Sequence, residues 1–103
     1  MFEEKKKYLN SYLLQEAKIN RLNKMSAINP DDKEMYKELV NDAVKTRSDI
    51  ERKIKAVDDE LLSELLFQKY VFGQTLEQIS YILNYSKRHT ERLHRKALEK
   101  FKM

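Results

Sequence analysis

The sequence predicts an all-α protein: an N-terminal antiparallel helical hairpin over residues 1–57, followed by a C-terminal group of three shorter helices over 58–103. Three observations predict it. One Gly and one Pro interrupt 103 residues, of which 37% are charged, a composition that favours long helices over sheet. Apolar residues recur at intervals of three and four, the helical period. Each break in that period carries residues that start or stop a helix.

The first helix is expected from Phe2 to about Met25, with Tyr8, Leu9, Tyr12, Leu13, Ile19, Leu22 and Met25 on one broad apolar face. The run Ser26-Ala27-Ile28-Asn29-Pro30-Asp31-Asp32 ends it. Asn29 suits an N-cap and Pro30 the first helical position, and the two aspartates suit a positive helix terminus, so a second helix is expected from Pro30. That helix carries the cleanest periodicity of the chain: Tyr36, Val40, Ala43, Arg47, Ile50, Ile54 and Val57 are spaced 4, 3, 4, 3, 4, 3. This is a heptad seam with one polar intruder, Arg47. Arg47 is either a polar layer that sets register or a side chain whose stem runs to the edge of the seam, the second being preferred. From Pro30 to Val57 the helix is about 42 Å long at roughly 1.5 Å per residue, and the short turn makes it antiparallel to the first.

Asp58-Asp59-Glu60 marks the boundary. Carboxylates in such a cluster can hold a metal, but these precede Leu61, Leu62, Leu65 and Leu66, where acids cap a helix. The third helix is expected to run to about Phe72 and to stop at Gly73, the only glycine. Thr75-Leu76-Glu77-Gln78 then forms a capping box opening a short helix with Leu76, Ile79, Ile82 and Leu83 on one face. Ser80 is small where two helices would cross. Asn84 tolerates the left-handed backbone of a tight turn, and Ser86 caps a last helix from Ser86 to Phe101, with Thr90, Leu93, Ala97, Leu98 and Phe101 inward. Short capped helix, tight turn and basic helix is the helix-turn-helix order, in which the second helix enters the major groove.

Charge is distributed accordingly. The net charge of +4 is mild, yet Asp58–Tyr85 holds one basic and five acidic residues, while Ser86–Met103 holds seven basic and two acidic. His89 and His94 are able to add to the latter. Such a field draws a polyanion to one element; a solvated helix whose Lys and Arg complement its dipole has the same composition.

The combination Leu65-Leu66-Phe67-Gln68-Lys69-Tyr70, Gly73-Gln74-Thr75-Leu76-Glu77-Gln78-Ile79-Ser80, Leu83-Asn84-Tyr85-Ser86 and Arg95-Lys96-Ala97-Leu98-Glu99-Lys100-Phe101 resembles region 4 of bacterial sigma factors, which reads the −35 promoter element. The likeness spans about the last 45 residues. With Tyr8-Leu9-Asn10-Ser11-Tyr12-Leu13-Leu14 and Lys18-Ile19-Asn20-Arg21, the whole chain also resembles small phage and prophage proteins of Gram-positive bacteria. Its C-terminal part is similar to the ArpU-type phage regulators. Three positions depart from the sigma pattern. Asn84 replaces the usual turn glycine, Thr90 a buried Val or Ile, and Glu91 an arginine that contacts DNA. Glu91 either accepts from a cytosine amino group or repels phosphate.

Helical geometry and the resemblance together assign Lys87, Arg88, Glu91 and Arg92 to base edges. His89, Arg95 and Lys96 are assigned to phosphates, as is Thr75 with the amides behind it at a helix N-terminus. The expected partner is double-stranded DNA. A homodimer through the heptad seam is a second expectation, open beside the reading that the seam packs only on the first helix.

Other chemistries find no residues. Without cysteine there is no disulfide, thiolate metal site or thiol nucleophile. His89 and His94 are five apart, off the i, i+4 spacing of helical metal ligands. No nucleophile elbow or glycine-rich phosphate loop occurs, so neither catalysis nor a cofactor is expected. No apolar run approaches the roughly 18 residues of a membrane helix, and no signal peptide is read at the N-terminus, so the expected location is the cytoplasm. Two other functions stay open: a packaging protein resembling the phage small terminase subunit, and a module that docks on bacterial RNA polymerase.

Overall fold

The computed structural model describes all 103 residues and is all-helical, with no strand. Helix α1 spans Glu3–Ile28, α2 Lys33–Lys55, α3 Glu60–Leu66, α4 Leu76–Leu83 and α5 Lys87–Lys100. No helix is long and apolar enough to cross a membrane.

Helices α1 and α2 lie antiparallel: Tyr8 meets Lys53, Tyr12 meets Glu51 and Glu16 meets Arg47, so residue numbers rise on one helix as they fall on the other. The heptad seam faces α1 within the chain. Tyr36, Ala43, Ile50 and Ile54 are buried along it, so the seam is not a free surface for a second copy. Arg47, the polar intruder, is half-buried and donates to Glu16 at 2.6 Å, an ion pair across the helices whose two side chains both stay partly exposed. The turn differs from expectation. Pro30–Asp32 forms one turn of 3-10 helix, and the α-helix begins at Lys33. Asn29 makes no N-cap bond; its backbone N–H and its side-chain amide both reach the Met25 carbonyl and so close α1.

At the other end the chain folds back. Asp59 caps α3 by accepting from the Leu62 N–H at 3.1 Å, and Ser63 donates to the Ile54 carbonyl, stitching α3 to the end of α2. The third helix does not continue as α-helix to Phe72. Phe67–Val71 widens to a π-helical turn, closed by Phe72 N–H to Phe67 C=O at 3.0 Å. Gly73 then takes φ +71°, the left-handed conformation that only glycine adopts freely, and the Gln74 N–H reaches back to the Gln68 carbonyl.

The main core gathers Leu9 and Tyr12 of α1, Ile50 and Ile54 of α2, Leu62 and Leu66 of α3, Tyr70, and Ala97, Leu98 and Phe101 at the end of the chain. Residues 1–57 and 58–103 therefore share one core. Deleting a fully buried leucine there costs about 2–5 kcal/mol. The far half of the α1–α2 pair projects beyond this core as an arm. The radius of gyration is accordingly 16.2 Å, and the extents are 52 × 25 × 23 Å. A compact chain of this length has a radius of about 13 Å.

Candidate nucleic-acid interface

Two caps and one left-handed residue place α4 and α5. Thr75 Oγ1 accepts from the Gln78 N–H at 3.1 Å, and Gln78 Oε1 accepts from the Thr75 N–H at 2.8 Å, the reciprocal capping box expected. Asn84 ends α4 at φ 59°, and the Tyr85 N–H bonds the Ser80 carbonyl. Ser80 is itself buried, its hydroxyl donating to the Glu77 carbonyl at 2.6 Å. Ser86 opens α5 by accepting from the His89 N–H at 3.1 Å. Of the expected apolar face of α4, Ile79 is buried and Leu76 and Leu83 half-buried, but Ile82 is exposed. Eight residues give barely two turns, so one buried edge is all that α4 can offer.

Helix α5 has one dry face and one wet one. Thr90, Ala97, Leu98 and Phe101 are buried as expected, with Leu93 half-buried. Thr90 satisfies its hydroxyl locally by donating to the Ser86 carbonyl at 2.9 Å. His94 falls on the same face, at the spacing 90, 94, 97, 101, and is buried. It therefore adds no positive charge to the surface. Burial, aided by Lys69 and Lys6 nearby, pushes its pKa down to about 4, so it is neutral at pH 7.

Lys87, Arg88, Glu91 and Arg92, assigned to base edges, are all exposed. At 100° per residue Arg88 and Arg92 stand near the middle of the wet face, with Arg95 and Lys96 beside them. Lys87 and Glu91 turn towards α1 and α4, and border a crevice with Asn10, Lys69, Gly73 and Thr75. None of Lys87, Arg88, Arg92, Arg95 and Lys96 is in an ion pair; of the cations at the end of the chain, only Lys100 is, with Asp58 at 3.8 Å. Four of these cations, Arg88, Arg92, Arg95 and Lys96, share the wet face with one carboxylate, Glu99, and leave a positive potential there. His89 is half-buried, its ring edge-on to Tyr85 at 4.9 Å. Thr75 is exposed, but its N–H is committed to Gln78, so the amides free to meet an anion are those of Leu76 and Glu77.

No protein-family model, curated protein or solved structure matches this chain. The chemistry open to the interface follows from its own residues: a rigid helix, held by a buried face, that presents guanidinium and ammonium groups with no internal partner.

Two contacts escaped the reading of the sequence. The Tyr70 hydroxyl bonds His94 Nε2, and Lys5 Nζ donates to the Leu98 carbonyl at 2.8 Å, crowning the end of α5 from the start of α1. The spacing of His94 with Thr90, Ala97 and Phe101 was a legible sign of burial. Lys5 and Leu98 are 93 positions apart, and nothing local announces their meeting.

Proposed function

We propose that this chain binds double-stranded DNA sequence-specifically, as a phage or prophage transcriptional regulator, with α4 and α5 as a helix-turn-helix and α5 as its recognition helix. One observation carries the reading: four unpaired cations, Arg88, Arg92, Arg95 and Lys96, on the exposed face of α5, whose opposite face is buried. The capped α4, the left-handed Asn84 and the capped α5 support it, because recognition by a helix in the major groove needs that helix held rigidly at a fixed angle. In this reading Arg88 and Arg92, with Lys87 and Glu91, reach base edges. Arg95, Lys96 and His89 hold phosphates, joined by the N-terminus of α4 behind Thr75. A single such helix reads few base pairs, so a second copy or a bacterial RNA polymerase supplies further binding energy at the target.

Selection of bound sequences from a random duplex pool, followed by the salt dependence of affinity, tests this. The expected result is an enriched motif bound roughly 10³-fold or more above random duplex. The logarithm of its affinity should fall by about 0.9 per phosphate contacted for each tenfold rise in salt. No enrichment and no salt-sensitive binding overturns the proposal. Ring-shaped oligomers that prefer a packaging site would transfer it to the small-terminase reading. Stable polymerase binding without duplex binding would transfer it to the docking reading.

A further inference from the structure

We infer that the start of α1 is a second wall of the DNA interface, where Lys6 and Lys69 hold backbone phosphates alongside α5. This rests on the DNA-binding reading above and adds residues that α4 and α5 do not contain. The first turns of α1 are fixed against α5: Lys5 Nζ donates to the Leu98 and Glu99 carbonyls at 2.8 and 3.4 Å, and the Tyr8 ring lies 6.1 Å from that of Phe101. Two crevices follow this junction. One, of about 390 Å³, is bordered by Lys6, Leu76, Glu91 and Arg95; the other, of about 490 Å³, by Asn10, Lys69, Leu76, Lys87 and Glu91. Leu76 and Glu91 border both, so the crevices run consecutively along one edge of α5.

The charge along this edge favours an anion. Lys6, Lys69, Lys87 and Arg95 face Glu77 and Glu91, and none of these six groups is in an ion pair. Lys6 and Lys69 belong to different elements, yet both act on His94, which places them within Coulombic reach of α5 from two sides. The geometry of B-form DNA supplies the partner. A helix about 10–12 Å across fills a major groove about 12 Å wide, so an element lying alongside that helix meets a phosphate ridge. The edge that carries Lys6 and Lys69 is the one so placed.

The test compares the full chain with a Lys6→Ala, Lys69→Ala double variant on the selected duplex and on random duplex, with thermal melts to show that both fold. The expected result is equal weakening on both duplexes and a salt slope shallower by about one per lysine removed. An unchanged slope overturns the inference while leaving sequence-specific binding intact; absence of duplex binding by the unaltered chain removes both. A second probe does not depend on altered affinity. The chain has no cysteine, so Asn10→Cys carries the only thiol, to which a DNA-cleaving iron chelate can be coupled. Cleavage of the backbone beside the motif read by α5 is expected, with none from Lys24→Cys near the tip of the arm. An uncut backbone with the Asn10→Cys conjugate overturns the inference.

Discussion

The Tyr70 hydroxyl lies 2.7 Å from His94 Nε2, with the two rings 5.8 Å apart, so the π-helical turn and α5 are joined by a buried polar contact. The wide turn at Phe67–Val71 brings Tyr70 to this position, and every buried side-chain nitrogen and oxygen of the molecule has a hydrogen-bond partner. Breaking the contact leaves a buried polar atom alone, at about 1–3 kcal/mol.

The pH dependence follows from the same residue. Folding holds the His94 pKa down to about 4, chiefly by burial, whereas the unfolded chain takes up that proton near 6.5. Between those values the unfolded state binds more protons, so stability falls as pH falls from about 6.5 to 4 and is fully present above that window. The wild type is expected to lose up to about 2 kcal/mol more than His94→Gln between pH 7 and pH 4. This is below the ~1.4 kcal/mol per pKa unit limit because His94 borders an open crevice, where the burial penalty is partly screened. Denaturant titrations across that range check it; parallel losses in the two proteins would show that His94 titrates normally.

Base and phosphate roles separate by specificity. Arg88→Ala or Arg92→Ala is expected to cost about 1–3 kcal/mol on the selected sequence and little on random duplex. Lys96→Ala is expected to weaken both alike. Indistinguishable behaviour of the two kinds of variant in binding titrations would sink the assignment of Arg88 and Arg92 to base edges.

The two left-handed residues before and after α4 predict opposite outcomes. At Gly73, φ +71°, an added Cβ meets only Leu13 Cδ1 at 3.5 Å, so the penalty of Gly73→Ala is conformational, about 1–2 kcal/mol. Asn84, φ 59°, already bears that strain; Asn84→Gly should match or slightly exceed the wild type, while Asn84→Val should lose about 1–2 kcal/mol. Thermal melting of the three variants decides, and a Gly73→Ala protein as stable as the wild type would contradict the account.

The α1–α2 seam makes a further prediction. Ile50 is fully buried between α1, α2 and the core, so Ile50→Asp buries an unpaired carboxylate and is expected to unfold the chain at every concentration. Circular dichroism with sedimentation checks this. A dimeric wild type that Ile50→Asp splits into folded, helical monomers would show instead that the seam joins two copies.

Much of the fold was legible because its signals are local. The capping box at Thr75 and Gln78, the left-handed stops at Gly73 and Asn84, the Ser86 cap and the three- and four-residue steps of the heptad from Tyr36 to Val57 each depend on neighbours within about one helical turn, where backbone and side-chain chemistry decide the outcome. Local reading failed where two local solutions compete. Asn29 qualifies as an N-cap by residue type, but its amide reaches back to Met25 and Pro30–Asp32 tightens to 3-10 helix. Phe67–Val71 has the composition of an ordinary helix, yet widens to a π-helical turn, from which Tyr70 meets His94.

What the sequence by itself determined is the set of helices, the residues that start and stop α4 and α5, and the basic face of α5. Those properties depend on neighbours one to four positions apart. Only the tertiary structure decided that the heptad seam is spent on α1, that Arg47 pairs with Glu16, that His94 meets Tyr70, and that Lys5 brings the start of α1 to the end of α5. Each of these joins residues between 24 and 93 positions apart, or follows from such a joining. The periodicity of a helix shows which face will be buried, but not which other helix will cover it.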